Sequence, residues 1–218
     1  WADYVFVSAM VVQKKSAKEV IQRAHELETK VVAGGPLFTT ESDNFQEVDH
    51  LILNEAEITL APFLADLKKG TPQHTYLTSE HPAVTETPAP DWSLINLKHY
   101  SSMSLQYSRG CPFNCEFCDI TFLDGRIPRT KSREQVLTEL DNLYNAGWRG
   151  SLFIVDDNFI GNKNKLKKEI LPAIIEWQKT NGHPFLFFTE ASINIVDDPQ
   201  LMDMMTARSE ERRVGKEC

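Results

Sequence analysis

Three of the four cysteines fall within eight residues, Cys111-Pro-Phe-Asn-Cys115-Glu-Phe-Cys118, a C-x3-C-x2-C pattern. A loop this short can bring three thiolates to one point. Thiolates are soft, charged donors that suit iron–sulfur clusters and zinc. Three of them can hold three irons of a cubane and leave the fourth iron open to an exogenous chelator. A structural zinc takes four protein ligands. The fourth would have to be a distant His81 or His99, or an acid, and none stands at a recognisable ligand spacing. A disulfide would leave one of the three cysteines odd. On spacing alone, a cluster, a zinc site and unliganded structural cysteines all remain open.

The elements that position this loop alternate strand with helix. Met103 to Tyr107 is predicted as the strand entering it. Ser132 with Gln135 forms a capping box that opens a helix to about Ala146, ended by Gly147. Ser151 to Val155 predicts a strand ending in Asp156-Asp157-Asn158, followed by a helix over 163–179. Phe185 to Thr189 predicts a third strand, leading into Glu190-Ala191-Ser192. Asp198-Pro199 has the chemistry of a further helix start. Such units build a (β/α) barrel, but three strands are too few to close one.

The first third of the chain shows the same alternation. Residues 3–8 read as a buried strand. Ser16 and Glu19 predict a capping box for a helix whose apolar stripe is Val20, Ile21, Ala24 and Leu27. His25, in that helix, reads as a surface or structural residue. Lys30 to Ala33 is a short strand ending at Gly34-Gly35-Pro36, and Leu51 to Leu53 is another. A helix over 56–69 closes at Gly70, with a break at Pro62 or a start near Leu60 expected. Short apolar strands between amphipathic helices predict a parallel, doubly wound sheet. Residues 71–100, with Pro72, Pro82, Pro88 and Pro90 and no clear period, predict a surface linker.

Composition bounds the function. The 218 residues are 41% hydrophobic and 25% charged, an ordinary globular balance. The net charge of −8 disfavours nucleic acid as a partner. No apolar run reaches the ~20 residues needed to span a bilayer. Trp1 opens directly on a strand-like run without a leader, so the chain is expected to enter in mid-domain. The string at 208–218, RSEERRVGKEC, resembles the translation of a sequencing adapter. Setting it aside removes four basic and three acidic residues, leaves 19 against 28 for a net −9, and makes Cys218 chemically irrelevant.

The string YSRGCPFNCEFC, residues 107–118, resembles the signature loop of the radical S-adenosylmethionine (SAM) superfamily. The resemblance implies that Cys111, Cys115 and Cys118 bind a 4Fe–4S cluster whose open iron is chelated by SAM. It implies that Phe117 packs near the adenine, unless it is a simple core aromatic. It places a SAM-amine motif at Asp156, Asp157 and Asn158, where many members have Gly-Gly-Glu, so any of the three could make the contact or cap the next helix. Glu190 and Ser192 are implied at the ribose or carboxylate. Arg126, Arg129 and Lys131 could meet an anion or form a solvated basic face.

Ser8-Ala9-Met10 followed by Gly34-Gly35 resembles the Ser-x-Leu and Gly-Gly elements of cobalamin-binding Rossmann-like domains, with Met10 in place of Leu. There the serine and glycines lie near the buried nucleotide tail. The family's axial-histidine element would precede Trp1. With GRIPRTKSREQVLTELDNLYNAGWRG, FIVDDNFIGNK and FTEASIN, residues 1–207 resemble the branch of cobalamin-dependent radical SAM enzymes that contains the hopanoid methylases. The implied fold is α/β: the C-terminal part of a cobalamin-binding domain over 1–70, a linker over 71–100, and the first half of a radical SAM barrel over 101–207.

The implied function is methylation of an unactivated carbon on a hydrophobic or lipid-like small molecule. An electron donor such as flavodoxin or ferredoxin is implied, in a cytoplasmic or membrane-peripheral setting. Radical cyclisation, oxidation or rearrangement is the alternative, and a non-enzymatic metal-binding module the remote one. The piece 1–207 alone is expected to be inactive, and no catalytic residue is named.

Overall fold

The computed structural model describes residues 2–206, so the string at 208–218 with Cys218 lies outside the described residues. The fold is α/β with parallel sheets, in two compact units that meet in sequence between Pro82 and Ala83.

In the first unit, β1 (Tyr4–Ser8), β2 (Lys30–Gly34), β3 (His50–Ile52) and β4 (Thr75–Tyr76) pair in parallel and in chain order. Successive side chains of a strand point to opposite faces. Val31 and Ala33 thus join one apolar cluster with Ala17, Ile21, Phe38 and Leu51. Val32 joins the other, with Ile52, Phe63 and Tyr76. Helix α1 (Lys14–Glu26) covers the first face and α3 (Ala56–Lys69) the second, while α2 (Pro36–Thr40) follows β2.

Three local expectations are corrected. Helix α1 starts before Ser16, because the Gln13 side chain already accepts from the Met10 N–H at 2.8 Å one turn earlier. Its buried stripe is Ala17, Ile21 and Ala24, with Val20 and Leu27 exposed. Helix α3 runs unbroken through Pro62. The neighbouring Phe63 is fully buried among the rings of His50, Tyr76 and Phe6, and this burial outweighs one lost hydrogen bond. The helix closes at Gly70, left-handed at φ 75°. His25 bonds Asp49 at 3.2 Å, and Asp49 accepts the Val31 N–H, so this histidine ties α1 to the sheet.

The first sheet extends past residue 70. Strand β4 places Tyr76 in the core, and its hydroxyl donates to Asp66. The rest of the proline-rich segment carries short 3-10 turns. Trp92, Ile95 and Leu97 pack on the core of the second unit.

In the second unit, β5 (Ser102–Leu105), β8 (Gly150–Ile154) and β9 (Phe185–Thr189) form a parallel sheet in the order β5-β8-β9. Between β5 and β8 lie a two-residue antiparallel pair, β6 (Ser108–Arg109) with β7 (Arg129–Thr130), the short helix α4 (Ile120–Leu123) and helix α5 (Arg133–Asn145). The Ser132–Gln135 capping box forms in both directions. Between β8 and β9 the expected single helix is three segments: α6 (Lys163–Lys165), a wider π turn (Leu166–Ile170) and α7 (Leu171–Thr180). Pro172 has no N–H to donate, and the π turn shifts the pairing around that gap. Helix α8 (Pro199–Thr206) starts where Asp198 accepts the Leu201 N–H. Leu140, Leu152, Leu166, Phe185 and Leu201 are fully buried between helices and sheet.

At Gly34 a Cβ would stand 2.6 Å from the Ile52 carbonyl oxygen on β3. Gly34→Ala should therefore cost about 1–3 kcal/mol of stability, read as a lower urea midpoint. An unchanged midpoint would show that β2 and β3 can separate there.

Candidate functional site

Parallel strands send all their C-terminal ends to one edge, where loops can converge. In the second unit that edge carries the cysteine loop after β5, the acidic turn after β8 and the Glu190–Ser192 segment after β9.

The cysteine loop is closed at its base. Strand β6 pairs with β7, and the Lys131 N–H donates to the Tyr107 carbonyl at 2.8 Å. Residues 110–128 are the excursion between these strands. Gly110 turns it with φ 92°, and a Cβ there would meet the carbonyls of Ile127, Asp124 and Gly125 at 2.9–3.0 Å. Only glycine accepts both that angle and that crowding. Inside the loop, Cys111 N–H donates to Gly125 O and Cys118 N–H to Cys115 O. All three cysteines are free thiols, Cys115 exposed and the others half-buried. Among the described residues no three His, Cys, Asp or Glu side chains are gathered as a metal-holding group. The loop carries the three thiols without clustering them. Phe117 is 91% exposed, which corrects its reading as a core aromatic.

The three residues of the acidic turn differ. Asp156 is 1% exposed. One carboxylate oxygen accepts the Tyr107 N–H at 2.7 Å. The other accepts the Ser108 N–H at 2.7 Å and its hydroxyl at 2.5 Å. Asp156 is thus occupied inside the protein, which corrects its reading as a cofactor contact. Burial pushes its carboxyl up to about 6, against those hydrogen bonds. Asp157 is half-buried, and among the described residues it forms no ion pair. Burial pushes it up to about 6 as well, and the Asp124 and Glu190 carboxylates add to the shift. Burial and like charge together disfavour its ionised form. Asn158, 2% exposed, bonds inward to Ser192 and toward Cys111.

Glu190 is exposed, and its carbonyl accepts the Phe159 N–H, tying the β9 exit to the β8 turn. Ser192 is half-buried and donates its hydroxyl to Asn194 at 2.6 Å. The three basic residues of this stretch are each engaged. Arg126 bonds Asn114, Arg129 bonds the Asp124 carbonyl, and Lys131 pairs with buried Glu139 at 2.5 Å. For Lys131 this corrects the reading as an anion contact or solvated face. A hollow of about 350 Å³ lies beside the loop, lined by Phe113, Ile127, Gly161, Lys163 and Asn194. His99 bonds Asn96 and His81 bonds Glu55, so each of these histidines has a partner other than cysteine.

In the first unit, Ser8 pairs in register with Gly34 at the C-terminal ends of β1 and β2, and Ser8 is exposed. Gly35 has φ 88°, and a Cβ there would stand 2.7 Å from the Ser8 hydroxyl. The three residues are one edge, and the chain's own close contacts require both glycines.

Sequence reasoning missed Tyr107, Ser108 and Gly110 as the frame of the loop. Their one local signal was the glycine. Asp156→Ala leaves two buried N–H groups without an acceptor and should cost about 3 kcal/mol or more, whereas Ser108→Ala should cost about 1 kcal/mol. Urea unfolding separates the two, and equal small losses would contradict the clamp.

No family model matches the chain. An uncharacterised methyltransferase of Synechocystis sp. is 48% identical over 207 residues, covering 94% of this chain and 38% of that protein. The hopanoid C-2 methylase of Rhodopseudomonas palustris is 38% identical over 209 residues, covering 94% of this chain and 40% of that protein. The chain thus spans about two fifths of the length of these relatives. Among solved structures, the radical SAM methyltransferase TsrM from Kitasatospora setae, with cobalamin and a [4Fe-4S] cluster bound, aligns with TM-score 0.65 at 15% identity. It covers 84% of this chain and 42% of its own, a likeness of fold. Over nearly all of its length the chain is thus similar to the hopanoid C-2 methylase and to an uncharacterised methyltransferase, and it shares the α/β fold of a radical SAM methyltransferase.

Proposed function

We propose that the protein works as a cobalamin-dependent radical SAM methyltransferase acting on an unactivated carbon of a hydrophobic, lipid-like small molecule. The observation that carries this reading is the edge of the second sheet. A loop with three free thiols there lies beside a half-buried carboxylate, Asp157, with a second, Glu190, across the mouth. The hopanoid C-2 methylase among the relatives supports the lipid-like substrate.

The donor set suits the implied groups. Cys111, Cys115 and Cys118 would hold three irons of a 4Fe–4S cluster, which would draw the thiols together as ligand binding orders a site. When bound, these cofactors supply the electron that cleaves SAM and the cobalt-borne methyl group. The chain's task is to hold and orient them. Asp157 would accept the methionyl ammonium, with Glu190 reinforcing the negative field. Ser192 would offer a hydroxyl to the ribose or carboxylate, and exposed Phe117 a face for the adenine. Ser8, Gly34 and Gly35 lie where ligands meet open α/β sheets and would admit the cobalamin nucleotide tail. Reducing equivalents would come from a donor such as flavodoxin or ferredoxin, in the cytoplasm or at a membrane face. Among the described residues no helix is long and apolar enough to cross a membrane.

Two measurements check this. Below about 6 Asp157 is protonated and cannot accept from an ammonium as a carboxylate does. SAM affinity should therefore rise as pH passes about 6 and then level off. Asp157→Asn should remove that step and weaken binding roughly tenfold or more. A pH-independent affinity would remove Asp157 from the role. Secondly, the full-length enzyme supplied with methyl-labelled SAM should place the label on its product. Turnover that releases 5′-deoxyadenosine without labelled product would favour cyclisation, oxidation or rearrangement instead.

A further inference from the structure

Asn158 occupies the buried junction between the cysteine loop and the segment after β9. Its Oδ1 accepts the Ser192 N–H at 3.2 Å, and the Ser192 hydroxyl, which donates to Asn194, lies 3.3 Å away. A backbone N–H can only donate, so the amide oxygen must face Ser192. The amide nitrogen then has to point the other way, and there Nδ2 meets the Cys111 sulfur at 3.9 Å. Donor and acceptor roles settle the orientation of an amide whose two ends look alike. Asn158 itself is 2% exposed, so protein partners and not solvent fix its amide.

We propose that Asn158 is a positioning residue that aims a fixed N–H at the Cys111 sulfur and thereby raises the reduction potential of the cluster held there. The inference rests on the cluster reading of the three cysteines. A hydrogen-bond donor stabilises negative charge on a thiolate. The reduced cluster carries one more negative charge than the oxidised one, so the donor favours reduction. Since the same amide holds Ser192, the loop that would meet SAM and the loop that would hold the cluster share one anchor.

The test uses the full-length protein reconstituted anaerobically with iron and sulfide, with cluster reduction followed by EPR-monitored redox titration. Asn158→Leu keeps a neutral side chain of similar size and removes the donor. The variant should hold the cluster with a midpoint potential below that of the unsubstituted protein. An equal or higher midpoint overturns the proposal. Where the variant assembles no cluster, the protein carrying Asn158 decides, labelled with 15N in asparagine side-chain amides in an Asn114→Ala background. A 15N coupling to the reduced cluster in pulsed EPR supports the proposal, and its absence overturns it. An unsubstituted protein that takes up no cluster is a separate outcome, which removes the cluster reading and this inference together.

Discussion

The carboxylate of Asp156 joins two strand exits that are far apart in sequence. It accepts the N–H groups of Tyr107 and Ser108 from 49 and 48 residues away. Those amides lie where the chain leaves β5 for the cysteine loop. Two charge-assisted bonds to consecutive backbone groups fix the direction of that chain, not merely its distance. The β6–β7 pair and the Lys131–Tyr107 bond then close the loop just above the clamp. Gly110 turns the chain where no side chain would fit. The cysteines are therefore carried on a loop whose base is fixed at both ends.

The same turn separates three polar residues by only one position each. Asp156 faces inward and clamps, Asn158 faces inward and bridges, and Asp157 remains for the mouth. Among these, Asp157 alone carries a raised pKa without internal side-chain donors. Burial and neighbouring carboxylates disfavour its charge, and a bound cation reverses that balance. Asp157 thus lies between the carboxylates of Asp124 on the cysteine loop and Glu190 after β9.

How much of this could be read in advance follows from the range of each signal. The cysteine loop, the Ser132–Gln135 box and the Gly70 stop depend on residues within a few positions of one another, and all were legible. The Ser16 box also looked sound locally, yet Gln13 supplied a competing acceptor one turn earlier. Pro62 signalled a break that the burial of Phe63 overrode. Strands β6 and β7 have two residues each, too short for any alternation to register. The division of labour within Asp156-Asp157-Asn158 was not legible, because the deciding partners, Tyr107, Ser108, Cys111 and Ser192, come from other strands. Lys131 looked like a surface cation until Glu139, on α5, met it in the core.

On the proposed reading, the three free thiols form a site for a 4Fe–4S cluster with one open iron. Anaerobic reconstitution of the full-length protein with iron, sulfide and zinc in competition tests it directly, with metal analysis and EPR before and after SAM is added. The expected result is about four irons per chain, an EPR signal of the reduced cluster that changes when SAM binds, and loss of both when Cys111, Cys115 and Cys118 are replaced by alanine. One equivalent of zinc, with no iron–sulfur signal, would contradict it.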